Sequence, residues 1–97
     1  MNASVAIQVL PKVDRENTLR IVDSVIAYIK ATGLKYEVGP FETVIEGDYD
    51  ELMKIVRECQ LICVKEGAPS VISYVKINYD PSGVLTMSEK TDKHRIK

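Results

Sequence analysis

The segment LKYEVGPFETVIEG, residues 34–47, decides the architecture. Leu34 to Val38 reads as a strand, Gly39-Pro40 breaks it with a turn or bend, and Glu42 to Glu46 reads as the next strand, closed by Gly47. A helix is expected on each side. Upstream, Leu19, Val22, Val25, Ile26 and Ile29 recur at three- and four-residue spacing, and Gly33 follows as a left-handed stop, which predicts an amphipathic helix from Arg15 to Thr32. Downstream, Asp48 and Glu51 have the D-x-x-E spacing of a capping box, in which each side chain accepts from the other residue's backbone N–H. The helix it opens carries Leu52, Ile55, Val56, Cys59, Ile62 and Cys63 on its apolar side and ends at Gly67, just before Pro69.

Outside the helices lie two more strands. From Ser4 to Leu10, Val5, Ile7 and Val9 alternate with Ser4, Ala6 and Gln8, the period of two expected of a strand with one buried face, and Pro11 ends it. From Ser70 to Tyr79, Val71, Val75 and Ile77 stand against Tyr74, Lys76 and Asn78, before the turn Asp80-Pro81-Ser82-Gly83. The order strand, helix, strand, strand, helix, strand is an α+β pattern. With right-handed crossovers it is the ferredoxin-like βαββαβ sandwich, a four-stranded antiparallel sheet with both helices on one face. Val84 to Ser88 is read as a short fifth strand, followed by a polar tail from Glu89 to Lys97. The outer sheet face then presents Ala6, Gln8 and Tyr74, and the sequence leaves open which of Val44 and Ile45 joins them. A face this apolar on a small domain is commonly buried by another subunit.

Composition narrows the function classes. At 97 residues, 45% hydrophobic and 28% charged, the chain has the size and make-up of one globular domain, residues 1–97, with oligomerisation a natural supplement to a modest core. A net charge of −1, from 13 basic and 14 acidic residues, gives no basic field for a nucleic-acid backbone. No cationic segment precedes a long apolar run, and no apolar run approaches a bilayer's thickness, so neither secretion nor a membrane span is expected. Cys59 and Cys63, four apart on a helix, read as buried small hydrophobes in a reducing compartment. The one histidine, His94, lies in the charged tail, so no metal site and no nucleophile–base pair is expected. Nucleophile elbow, phosphate loop, paired-histidine helix and dinucleotide fingerprint are all absent, which leaves enzymatic chemistry unsupported.

Charge is uneven in one place. Between Lys35 and Lys54 lie Glu37, Glu42, Glu46, Asp48, Asp50 and Glu51 without one basic residue. Asp48, Asp50 and Glu51 complement a helix N-terminus, which leaves Glu37, Glu42 and Glu46 over. A solvated strand accounts for them, and so does recognition of a cation or of a heterocycle's amino group, where a carboxylate accepts from N–H. Aromatics are Tyr28, Tyr36, Tyr49, Tyr74, Tyr79 and the lone Phe41, without Trp. Tyr36, Phe41 and Tyr74 suit an aromatic wall for stacking or cation–π contact. They suit a subunit contact equally, and Phe41 a core anchor.

Ser4 to Val9, the run from Thr32 to Asp48 of the form T-G-L-x-Y-x-V-G-P-F-E-T-x-I-E-G-D, and the ending Gly83-Val84-Leu85-Thr86 closely resemble the small thiamine-binding protein family of the YkoF-like superfamily. The resemblance covers essentially the whole chain. It implies a cytoplasmic, non-enzymatic binder of thiamine or its hydroxymethylpyrimidine part, without a further cofactor, assembled through its sheets into homo-oligomeric dimers or tetramers. Residues of matching chemistry are Glu42 or Glu37 as acceptor for the pyrimidine's amino group, Thr43 as hydroxyl partner and Phe41 as flat wall. Gly39 and Pro40 would let the loop backbone approach the ligand. Ser4, Gln8 and Tyr74 come within reach if the pocket opens on the sheet. Glu42 and Thr43 are the first candidates. A structural or regulatory homo-oligomer without a dedicated ligand is the rival expectation, and an enzyme acting on a thiamine precursor a distant third.

Overall fold

The computed structural model describes residues 1–95. Its elements in chain order are β1 (Ala3–Pro11), α1 (Arg15–Ala31), β2 (Tyr36–Val38), β3 (Thr43–Gly47), α2 (Tyr49–Lys65), β4 (Val71–Tyr79) and a short α3 (Met87–Thr91), with a 3-10 turn at Asp92–His94. The strands lie in the order β2-β3-β1-β4, each pair antiparallel. This is the expected ferredoxin-like arrangement: each helix connects two strands that have a third lying between them.

Strand parity separates the two faces. In register, Val5 lies between Ile45 and Ile77, and Ile7 between Thr43 and Val75. Val5, Ile7, Val9 and Ile45 point at the helices and are buried with Ile21, Val25 and Ile29 of α1 and Leu52, Ile55, Cys59 and Cys63 of α2. Ile45 is 0% exposed, so Val44 is the residue that turns outward. The outer face is therefore built from Ser4, Ala6 and Gln8 in the centre, Val44 and Glu46 on β3, and Tyr74, Lys76 and Asn78 on β4, with Gln8 directly opposite Tyr74. Both cysteines are free and buried, and desolvation pushes the Cys59 thiol up to about 12.

Four details depart from the sequence reading. Leu19, expected on the buried stripe of α1, is 63% exposed, and Ile21 takes its place in the core. Asp48 is the N-cap of α2 but makes no side-chain cap hydrogen bond, so the capping box does not form. The amide N–H of Tyr49 instead donates to Asn2 Oδ1 at 2.9 Å, a partner supplied by the residue just before β1. No fifth strand forms at Val84–Ser88. Gly83, at φ 118°, redirects the chain, and a capping box does form one turn later, with Thr86 accepting from Glu89 N–H at 3.0 Å and Glu89 accepting from Thr86 N–H at 2.7 Å. The expected polar tail is accordingly structured through α3 and the 3-10 turn, while Ile96 and Lys97 lie outside the described residues.

That C-terminal strap docks on the outer face. The buried Glu46 carboxylate accepts from the Met87 N–H, Lys35 Nζ donates to Ser88 Oγ at 2.9 Å, and Arg95 donates to both carboxylate oxygens of Glu37 at 2.7 Å. It covers the Ser4–Glu46 end of the sheet, where Ser4, Glu46 and Met87 are all buried. The Gln8–Tyr74 end stays open, with Leu10, Ile72 and Tyr74 exposed.

Candidate functional site

The loop between β2 and β3 is shaped by its backbone. Gly39 N–H donates to the Glu42 carbonyl at 2.9 Å, which closes the loop into a narrow arch. A Cβ on residue 39 would sit 3.0 Å from that same carbonyl oxygen, tighter than most side chains approach backbone, so glycine fits without displacing the loop. Pro40 follows, and its fixed φ stiffens the arch. With no neighbour to fold onto, the Phe41 ring at the tip is 77% exposed. It is thus no core anchor.

Parity then divides the two residues that follow. Thr43 is buried on the helix side of β3. Glu42 turns the other way, its Oε2 3.1 Å from Lys76 Nζ, and Lys76 stands on the outer face opposite Ala6. The arch thereby separates two hollows. One, about 210 Å³, lies between the arch and α1 and is bordered by Gln8, Phe41, Glu42 and Thr43 together with Val22 and Ile26. The other, also about 210 Å³, opens beside the outer face and is bordered by Glu37, Phe41, Glu42 and Val44.

The three surplus carboxylates have unequal partners. Glu46 is 6% exposed and committed to the Met87 amide. Glu37 is held by Arg95 through both oxygens. Among the described residues the Glu42 side chain has only the ion pair with Lys76, whose side chain is 74% exposed. Exposed pairs of this kind contribute about 0–1 kcal/mol, so little energy would be needed for another cation or N–H donor to displace Lys76. Glu42 is the carboxylate of the three that is both reachable and weakly held.

The structure brings Phe41 and Glu42 together at both hollows, adds Gln8 and Thr43 on one side of the arch and Glu37 on the other. Tyr36 packs against the core, and Tyr74 is exposed on the outer face beside Gln8 without bordering either hollow. Ser4 lies further along the sheet at a third hollow that includes Lys76 and Lys90. Sequence reasoning did not anticipate Lys76 as the partner of Glu42, because strand register across β1 is invisible locally. Val22 and Ile26 read as core and also wall the cleft. Among the described residues, no group of three His, Cys, Asp or Glu side chains converges to hold a metal ion, and no helix is long and apolar enough to cross a membrane.

Comparison with known proteins agrees with this fold. A family model described as "Thiamine-binding protein" matches residues 5–95. A UPF0045 protein of Clostridium perfringens is 51% identical over 92 residues, which cover 95% of this chain and 96% of that one. A domain of unknown function, DUF77, from Bacillus cereus superposes with a TM-score of 0.89 at 36% identity, covering 98% of this chain and 91% of the other. A Thermotoga maritima protein, provisionally described as a thiamine biosynthesis/salvage protein, superposes with a TM-score of 0.87 at 33% identity, covering 98% and 100% of the two chains.

Proposed function

The chain belongs to the thiamine-binding protein family, and we propose that it binds thiamine, or the hydroxymethylpyrimidine part of it, in the outer hollow beneath the Phe41 arch. The observation that carries this reading is the pairing of an unpacked aromatic ring with a weakly held carboxylate, Phe41 with Glu42, on one rigid arch. The aminopyrimidine ring lies against Phe41 and donates its exocyclic N–H to Glu42 as Lys76 withdraws. Glu37 borders the same hollow, but its charge is balanced by Arg95, so Glu42 is left as the acceptor there. Thr43 faces the other hollow, so its hydroxyl meets the same ligand only if the ligand wraps over the arch; otherwise it anchors β3.

Binding here requires no reaction, and the protein acts as a carrier or sensor rather than an enzyme. In this reading it works in the cytoplasm as a homo-oligomer. The exposed Leu10, Ile72 and Tyr74 favour a second copy over the open end of the sheet, a feature that a purely structural oligomer would share. Calorimetry with thiamine and with hydroxymethylpyrimidine separates the two. We expect saturable binding that Glu42→Gln weakens by about tenfold, since an ionised acceptor makes the stronger bond. Absence of heat with both compounds would leave the structural oligomer as the surviving reading.

A further inference from the structure

The third hollow, about 270 Å³, adjoins the proposed ligand site on the outer face: Val44 borders both. Its polar border consists of Ser4, Asn78, Lys76 and Lys90, and no acidic residue lines it, although the Lys76 ammonium is paired with Glu42 at 3.1 Å. Three acids on the neighbouring elements are otherwise engaged, Glu42 with Lys76, Glu46 with the Met87 N–H and Glu89 with the Thr86 N–H. The side chains of Ser4, Asn78 and Lys90 have no hydrogen-bond or ion-pair partner among the described residues. Lys90 is also no loose tail residue. It lies on α3, which is fixed by the Thr86–Glu89 capping box and by the Glu46 contact to Met87.

Two lysines and two neutral hydrogen-bonding residues around a hollow with no acid in its lining match an oxyanion, once Lys76 is freed from Glu42. We propose that this hollow is a phosphate subsite, so that the preferred ligand is a phosphate ester of the heterocycle, held by Lys90 and Lys76 while the ring occupies the Phe41–Glu42 hollow. The proposal rests on the thiamine reading for the ring's position and goes beyond it in naming the ligand's second charged group. Lys76 has a place in both parts of the site. Released from Glu42 when the ring's N–H takes over that carboxylate, its ammonium swings to the phosphate, whose charge at neutral pH is about −1.5 to −2. Ring binding and phosphate binding therefore reinforce one another.

The test compares thiamine with thiamine monophosphate by calorimetry on the full chain. We expect the monophosphate to bind about tenfold more tightly, a preference that shrinks with added salt and collapses towards unity in Lys90→Ala. Lys54→Ala, which removes the same charge from α2 on the opposite side of the sheet, should keep the preference. Equal affinities in the unmodified protein, or a preference that survives in Lys90→Ala, would overturn the proposal. Inorganic pyrophosphate is the probe that isolates the subsite. If it raises the melting temperature of the unmodified protein but not of the Lys76→Ala, Lys90→Ala double variant, the phosphate subsite stands even where thiamine gives no heat, and only the vitamin reading falls. If thiamine binds but pyrophosphate gives no shift and the monophosphate no advantage, the subsite alone is refuted. All the substituted lysines are exposed, so these variants leave the core intact.

Discussion

Replacing Phe41 with alanine separates a ligand wall from a structural anchor, because the two roles predict opposite ratios of stability loss to affinity loss. A fully buried Phe cut to Ala costs about 3–5 kcal/mol. Here the residue is 77% exposed, so about a quarter of its surface leaves water on folding. Scaling the cost by that fraction gives about 1 kcal/mol or less for the isolated chain. The arch itself should persist, since it is closed by the Gly39–Glu42 backbone hydrogen bond and not by the ring. Ligand binding should suffer more. Loss of an aromatic face against a flat heterocycle removes about 1 kcal/mol of stacking beyond area burial, or about five- to tenfold in affinity with the lost contact area included.

Urea unfolding at two protein concentrations, with calorimetry under the same conditions, reads both quantities. The expected result is a midpoint almost unchanged at either concentration and a clear fall in thiamine affinity, partly restored in Phe41→Tyr. A stability loss above about 2 kcal/mol that grows with protein concentration would make Phe41 a subunit anchor, because assembly stabilises the folded state by mass action. Unchanged stability with unchanged affinity would refute the placement of the ring against the ligand.

Gly39→Ala should fold but misplace the arch: its Cβ meets the Glu42 carbonyl at 3.0 Å, so the backbone must shift. Thiamine affinity should fall by at least as much as in Phe41→Ala, with a stability cost of about 1 kcal/mol by calorimetry and denaturation, and full affinity would show that the arch does not position Glu42. The strap should loosen in acid. Hydrogen bonds from Thr86 hold the Glu89 carboxyl below its ordinary value, so its contribution is present above the unfolded carboxyl's titration range and is lost as pH falls through the lower, folded-state value. Amide exchange at Met87–Thr91 checks this: protection should drop over that interval in the native protein and drop less in Glu89→Gln, where the Glu46 and Glu37 contacts remain, and an unaltered profile in Glu89→Gln would contradict the capping role.

What the sequence disclosed was whatever local periodicity and stop signals could carry. The alternation of Val5, Ile7 and Val9, the helical spacing through Ile29, and the glycines at the ends of α1 and α2 are short-range patterns, and each marked its element to within a few residues. Misreadings arose where a distant residue competes with a local one. Asp48 and Glu51 have the capping spacing, yet Asn2, 47 positions away, takes the Tyr49 amide that opens α2. Val84-Leu85-Thr86 looks like strand material, but the T-x-x-E spacing of Thr86 and Glu89 was the stronger signal and starts a helix instead. Val44 and Ile45 are both β-branched, so only pairing with β1 decides that Ile45 goes in and Val44 out.

That one decision of parity organises the candidate site. Once Ile45 faces the helices, Thr43 must do the same, and Glu42, Val44 and Glu46 must face outward. The acidic surplus between Lys35 and Lys54 then separates into different physical roles. Glu46 is buried under the strap and serves the backbone of α3; Glu37 is clamped by Arg95 at the edge strand; Glu42 is left with a solvent-exposed lysine from β4. A buried carboxylate bound to an amide cannot exchange partners without exposing that amide to an unsatisfied state, whereas an exposed ion pair exchanges readily. That removes Glu46; of the two exposed pairs, the single contact of Glu42 with Lys76 is the looser, since Arg95 reaches both oxygens of Glu37. The lysine that Glu42 would release borders the hollow with an acid-free rim, so the fold that exposes the acceptor also places a cation beside it for a ligand's anionic end.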